Sequence, residues 1–204
     1  MIWFPVIGAL SPPNLMSVSV IVGLGNPGEK YALTRHNVGY WLVDRLTNAA
    51  GAVLKAEKKV MGDVAQISLA HSNIRLLKPS TYMNESGQAI RRMLDFYKLT
   101  PEQLLVVHDE LDLPPGTVRF KLGGGHGGHN GLRDIISHCG KEFLRLRIGI
   151  GHPGHKSQVT GYVLSSPGLE ERQLIEAALP DASQAVECLL QDGLERAMHT
   201  LHTD

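Results

Sequence analysis

Val118–Ile136, VRFKLGGGHGGHNGLRDII, reads as a strand, a glycine-rich loop and a helix in succession. Its first five residues alternate apolar and basic side chains, the pattern of a strand with one solvated face. Its last five place Leu132, Ile135 and Ile136 at helical spacing. Between them, Gly123–Gly131 holds six glycines, two histidines and one asparagine, with no bulky side chain. Glycine costs more backbone entropy on folding than any other residue, so such a run contributes nothing to a core. It does offer bare amide groups at the start of a helix, where anions are favoured. A flexible connector is the bland alternative.

Outward from this unit, strand and helix patterns alternate. Ser17–Val22 reads as a buried strand, and Val38, Trp41, Leu42 and Leu46 as a helix with Asn37 as its N-cap. Val64–Ala70 and Ile74–Leu77 read as strands joined by a turn at His71-Ser72-Asn73. Ile90, Met93, Leu94 and Tyr97 mark a helix that stops before Pro101, and Leu104–Val107 a buried strand. Leu144–Ile150 alternates like Val118–Leu122, so it too is expected to have one solvated face. Two helices, Leu169–Leu179 and Ala182–Gln191, are expected on either side of Pro180, with Gly193 breaking the chain before a last short one. Strands interleaved with helices argue for an α/β fold: a single domain with a twisted mixed β-sheet flanked by helices.

Length and composition agree. The 204 residues suit one domain, with 43% apolar and 20% charged residues, ordinary for a globular protein. Met1–Leu10 is apolar but has no Lys or Arg, is too short to span a membrane, and is broken by Ser11-Pro12-Pro13-Asn14. Residues 1–16 are therefore expected to be a disordered extension, with Met16 a possible natural start and 17–204 the domain. Two cysteines, Cys139 and Cys188, form no disulfide framework, so a reducing cytoplasm is the expected compartment.

Net charge is zero, yet its distribution is uneven. Between Pro115 and Thr160 stand seven Lys or Arg against Asp134 and Glu142; from Gly161 onward stand Arg172 and Arg196 against eight acids. A basic centre around the glycine loop suggests a localised polyanion contact, and two solvated surfaces without a partner are the alternative.

Several catalytic signatures are weak or missing. Gly23-Leu24-Gly25-Asn26-Pro27-Gly28 formally fits a dinucleotide loop, but the next helical periodicity starts only near Val38, and Asp44 lies inside that helix. No Gly-Lys-Ser or Gly-Lys-Thr occurs, which excludes a Walker loop, and there is no G-x-S-x-G elbow. Asp109-Glu110-Leu111-Asp112 for magnesium, or His126, His129, His152 and His155 for zinc, have irregular loop spacing and no cysteine nearby. No metal and no cofactor are expected.

What remains is a histidine and a carboxylate. His36 sits at the mouth of the first helix, and Asp109 follows the buried strand ending at Val107, where open α/β sheets gather their chemistry. A histidine base needs a carboxylate on its other ring nitrogen to fix the tautomer and stabilise the imidazolium. His36 with Asp109 meets that need if the fold joins them; otherwise they are an exposed histidine and a capping aspartate. Asn26, Asn84 and Asn130 each stand at a loop feeding a helix, and uncharged amides suit recognition of a peptide backbone or an ester. Asn84 as an N-cap and Met83 as a core plug are the simpler readings.

At these residues the sequence closely resembles the bacterial peptidyl-tRNA hydrolases. The matching stretches are Ile21–Tyr31 (IVGLGNPGEKY), Thr34–Gly39 (TRHNVG), Lys78–Gly87 (KPSTYMNESG), His108–Gly116 (HDELDLPPG), Lys121–Ile135 and Leu144–Gly154 (LRLRIGIGHPG). The resemblance implies hydrolysis of the ester joining a peptide to the terminal ribose of tRNA, by a monomer without membrane attachment. By that analogy His36 is the general base and Asp109 its partner. Asn26 would read the blocked amino end, with Asn84 and Asn130 positioning ester, water and peptide. Tyr31, Tyr82 and Met83 would line the cleft, and Arg119, Lys121, Arg133 and Arg147 would contact tRNA phosphates. The competing class is a non-catalytic RNA-binding module of the same fold.

Overall fold

The structure, a computed structural model, describes residues 17–201. The expectation of an extension over residues 1–16 lies outside them.

Seven strands form one sheet in the order β2-β3-β4-β1-β5-β7-β6. These are β1 (Val20–Gly23), β2 (Lys55–Glu57), β3 (Gly62–Leu69), β4 (Ser72–Pro79), β5 (Leu104–Glu110), β6 (Val118–Leu122) and β7 (Leu144–Gly149). The four inner strands β4, β1, β5 and β7 run parallel, while β3 and β6 pair antiparallel to them. The mixed sheet agrees with the sequence. Alternation within β1 sends Val20 and Val22 to one face and Ile21 to the other, so two cores form.

Helices α1 (Val38–Ala49) and α5 (Leu169–Asp192) cover the Ile21 face; α2 (Ser86–Tyr97) and α3 (Asn130–Cys139) cover the Val22 face. Short α4 (Val159–Val163) and α6 (Leu194–Thr200) complete the α-helices of the described residues. Strand order reverses between β1 and β5, where an open parallel sheet has its crevice.

Three local expectations change. The β3–β4 turn falls at Ala70–His71, both with positive φ, because Leu69 pairs with Ser72 and leaves a two-residue hairpin. Pro180 lies inside α5 rather than dividing it. Ile175, Ala178 and Leu179 before it, and Ala182, Ala185 and Val186 after it, all enter one core, and that burial outweighs the missing hydrogen bond. Strand β7 is covered further than expected: Leu144, Leu146 and Ile148 point into the core under α5, and on the opposite side Arg145 is buried while Arg147 is half-buried at the cleft. The Arg145 guanidinium donates to the carbonyls of Gly124 and Gly125, both at 2.6 Å, so the glycine loop covers it.

One close approach sets the position of the site. A Cβ on Gly39 would lie 2.5 Å from both Leu24 N and Val107 O, and one on Gly23 would lie 2.2 Å from Gly39 O. These glycines let the start of α1 press against β1 and β5. The Gly23-x-Gly25 spacing is therefore a packing device, consistent with the misfit to a dinucleotide loop.

Candidate active site

The turn carrying Thr34–Asn37 is held against the C-terminal end of β5 by that packing. His36 and Asp109, 73 residues apart, meet there: Nδ1 of the histidine lies 2.9 Å from both carboxylate oxygens. Both side chains are buried. With Nδ1 turned to the carboxylate, Nε2 is the nitrogen left to serve as a base.

A second imidazole shares the carboxylate. His129 Nε2 lies 3.0 Å from Asp109 Oδ1, and its Nδ1 accepts from the Leu132 amide at the start of α3. The amide can only donate, so the His129 proton sits on Nε2 and points at Asp109. A third ring, His108, bonds through Nδ1 to the Asp109 carbonyl at 2.7 Å and packs edge-on to His129.

Electrostatics follow from these contacts. Burial alone would raise the Asp109 pKa, but His36 and His129 outweigh it and hold the carboxyl well below its usual value. For His36, burial lowers the pKa, while the Asp109 charge and hydrogen bond raise it, and the net shift is upward. Burial, reinforced by His129, pushes His108 down to about 3, so that ring stays neutral. Burial pushes the Cys139 thiol up to about 11, as expected of a structural cysteine.

The site lies in a cleft of about 1250 Å³ lined by Asn26, Tyr31, Tyr82, Met83, Asn84 and Asn130, among others. Asn26 is fixed on three sides. Asn37 donates to its carbonyl and accepts from its amide, both at 2.9 Å, and the Met83 amide donates to Asn26 Oδ1 at 2.8 Å. Only the Asn26 NH₂ is left for the cleft. Asn37 occupies the N-cap position of α1, but its side chain makes no cap bond, because it is committed to Asn26. Met83 is both a core plug and part of the cleft wall. Asn84 lies in a one-turn 3₁₀ segment before α2 and does not cap it; Asn130 is the first residue of α3. Both are exposed. A carboxylate on α3 ties these two segments together: Asp134 accepts from the Gly87 amide at 2.7 Å.

The basic residues divide. Lys121, Arg133 and Arg147 line the cleft, with Arg147 also 3.6 Å from Glu110. Arg119 does not. It leaves edge strand β6 and donates to the Leu201 carbonyl beyond α6 at 2.6 Å, lining a separate groove. Lys121 stands two residues on along the same strand, so what separates the two is the Leu201 carbonyl within reach of Arg119.

Among the described residues, one group of side chains could hold a cation: His36, Asp109 and His129, whose ligand atoms lie within 4.8 Å of one another. Both nitrogens already face that carboxylate. The other loop histidines do not converge on it; His126 and His152 each accept a local glycine amide, from Gly128 and Gly154.

Sequence reasoning missed the roles of His129, Asn37 and Arg145. Histidine in a glycine loop carries no sign of which way it turns, and Asn before a helix reads as a cap. A basic residue in an alternating strand reads as solvated.

The family model described as peptidyl-tRNA hydrolase matches residues 20–204. The chain is 52% identical over 190 residues to the peptidyl-tRNA hydrolase of Salmonella heidelberg, covering 92% of this chain and 98% of that one. The protein of that name from Escherichia fergusonii matches at the same identity and coverage. The crystal structure of peptidyl-tRNA hydrolase from Acinetobacter baumannii superposes with a TM-score of 0.90 at 47% identity, covering 93% of this chain and 97% of that one. A buried His–Asp pair in an amide-lined cleft, on a chain that matches these relatives along nearly its whole length, belongs to a member of the peptidyl-tRNA hydrolase family.

Proposed function

We infer that this protein is an esterase that cleaves the bond between a peptide, or an N-blocked amino acid, and the 3′-terminal ribose of tRNA. The observation that carries the reading is His36 Nδ1 held by a buried, anionic Asp109, which leaves Nε2 as the base.

Water donates a proton to His36 Nε2 as its oxygen attacks the ester carbonyl carbon. The carbonyl electrons move onto oxygen, giving a tetrahedral oxyanion. When this collapses, the bond to the ribose oxygen breaks and the proton on His36 passes to that oxygen. Free tRNA and the peptide's carboxylic acid result, the acid then losing its proton to solvent, with no metal in the balance. General-base assistance of this kind contributes about 10²–10⁴-fold, and a positioned oxyanion donor about 10²–10³-fold more.

The amides supply recognition. Asn26 presents an NH₂ donor, which pairs with the acyl carbonyl of a blocked substrate but not with a free ammonium. This distinction would spare ordinary aminoacyl-tRNA. Asn84 and Asn130 flank the reacting ester, with Tyr31, Tyr82 and Met83 as the surrounding wall. Lys121, Arg133 and Arg147 meet tRNA phosphates. Arg119 joins them only by releasing the Leu201 carbonyl.

The enzyme is proposed to work as a cytoplasmic monomer. No helix among the described residues is long and apolar enough to cross a membrane.

The test is release of free tRNA from an N-blocked aminoacyl-tRNA in the presence of a chelator. The wild type should cleave and His36→Ala should bind tRNA without cleaving. Cleavage by His36→Ala at the wild-type rate would remove the base from the account. Complete dependence on added metal would remove the metal-free balance.

A further inference from the structure

Beside the catalytic histidine lies a buried cation that the reaction does not use. Arg35 is 6% exposed, although its guanidinium is always charged. One terminal nitrogen, Nη1, lies 2.8–3.2 Å from the carbonyls of Tyr162, Ser165 and Ser166 and from the Ser165 hydroxyl, which share its two hydrogens. The other, Nη2, pairs with Glu171 at 2.5 Å. The guanidinium also stacks on the Tyr162 ring, 3.9 Å from its centroid, and the Arg35 amide donates to the Ser165 carbonyl.

These contacts converge on one place. Tyr162, Ser165 and Ser166 form the C-terminal end of α4 and the turn after it, and Glu171 lies in the first turn of α5. The last carbonyls of a helix lack intrahelical partners and favour a cation. A five-residue helix is too short to hold itself, and only Val163 of α4 is buried. Yet Val159, Thr160, Val163 and Leu164 form one wall of the catalytic cleft. The Tyr162 hydroxyl donates to the Ile150 carbonyl past the end of β7, a second tie on the same segment.

We propose that Arg35 is a positioning residue that fixes the α4 segment as the outer wall of the cleft and so determines how firmly substrate is gripped. It acts through this wall and not through His36, whose own partners are Asp109 and the cleft. The proposal rests on the hydrolase reading for its kinetic readout, but not for its structural one.

The experiment compares wild type with Arg35→Met and Arg35→Lys, using an N-blocked aminoacyl-tRNA and backbone hydrogen exchange over residues 156–166. Loss of several charge-assisted hydrogen bonds should raise KM by about tenfold in Arg35→Met, with kcat within about threefold of wild type. Exchange in that segment should quicken, while the pH profile of kcat/KM keeps its position. Arg35→Lys retains the charge but lacks the fork that reaches several oxygens, so it should fall between. If Arg35→Met does not fold, Arg35→Lys supplies the same readouts.

Unchanged KM and unchanged exchange in a folded variant would overturn the proposal. So would a displaced pH profile, which would mean that Arg35 acts on His36. Failure of the hydrolase reading would appear separately, as absence of cleavage by the unaltered protein, with the exchange comparison still decisive for the wall.

Discussion

His36 and His129 stand with ring centroids 4.9 Å apart because both hydrogen-bond the Asp109 carboxylate, one through Nδ1 and the other through Nε2. The carboxylate therefore meets two imidazoles fixed by different elements, the turn before α1 and the cap of α3. Replacing His129 with Ala removes one of the two imidazole partners of Asp109 Oδ1 and leaves the carboxylate held by His36 alone, less firmly oriented. A hydrogen bond to a charged group contributes about 1.5–3 kcal/mol, so kcat should fall by about 10–100-fold with little change in KM. The acid limb of kcat/KM should lie above 6.5 in wild type and in His129→Ala, since Asp109 still raises His36. In Asp109→Asn only burial remains and the limb should move to lower pH. A limb that stays in place in Asp109→Asn would mean that another group carries the titration.

His108 predicts acid sensitivity. Its folded pKa is about 3 against an ordinary 6.5, so between those values the unfolded chain binds a proton that the folded chain refuses. Stability then falls as pH drops, by about 1.4 kcal/mol per unit over that window. His36 has the opposite sign: its raised pKa adds stability fully present below 6.5 and lost as pH rises through the folded value. Asp109 loses its contribution only as pH falls through its own depressed pKa. Urea unfolding between pH 6.5 and pH 3.5 should show the His108 slope, and His108→Phe should flatten it.

Gly39→Ala should damage both fold and function. Its Cβ would meet Leu24 N and Val107 O at 2.5 Å, and both are backbone atoms that cannot rotate aside. Forced overpacking of this kind costs about 1–3 kcal/mol or more. The start of α1 would shift away from β5, separating His36 from Asp109, so residual kcat should fall further than the folded fraction. Denaturant midpoints measured alongside kcat check this; full activity in a destabilised variant would show that the approach is not needed for catalysis.

Salt dependence should sort the basic residues. Neutralising one phosphate contact lowers the slope of log affinity against log salt by about 0.7–0.9. Lys121→Ala and Arg133→Ala, both on the cleft, should each lose about one such step, whereas Arg119→Ala, directed to the Leu201 carbonyl, should keep the wild-type slope. Filter binding of tRNA across a salt series gives the answer. A lost step in Arg119→Ala would mean that its side chain swings back over the sheet edge when tRNA binds.

The periodicity of Val20–Gly23, Val38–Ala49 and Leu104–Glu110 was legible because burial on one or two faces leaves a direct mark on residue order. The same holds for the helices whose apolar stripes stop at Pro or Gly. Pro180 misled because a breaker is a local signal, and the core on both sides of it is not local. Arg145 misled for a like reason: an alternating basic residue reads as solvated unless the loop that will cover it is known.

For the site, local pattern along the chain was enough to name the chemical types: a histidine at a helix mouth, a carboxylate after a buried strand and three amides at loop ends. That Asp109 receives a second imidazole, that Asn37 pins Asn26 and that Arg119 turns away from the cleft came from packing in three dimensions. Those outcomes depend on which glycines let backbones approach and on which acceptors lie within reach of a long side chain. Neither is encoded at any spacing along the chain, since both arise from groups distant in sequence competing for the same donors and the same space.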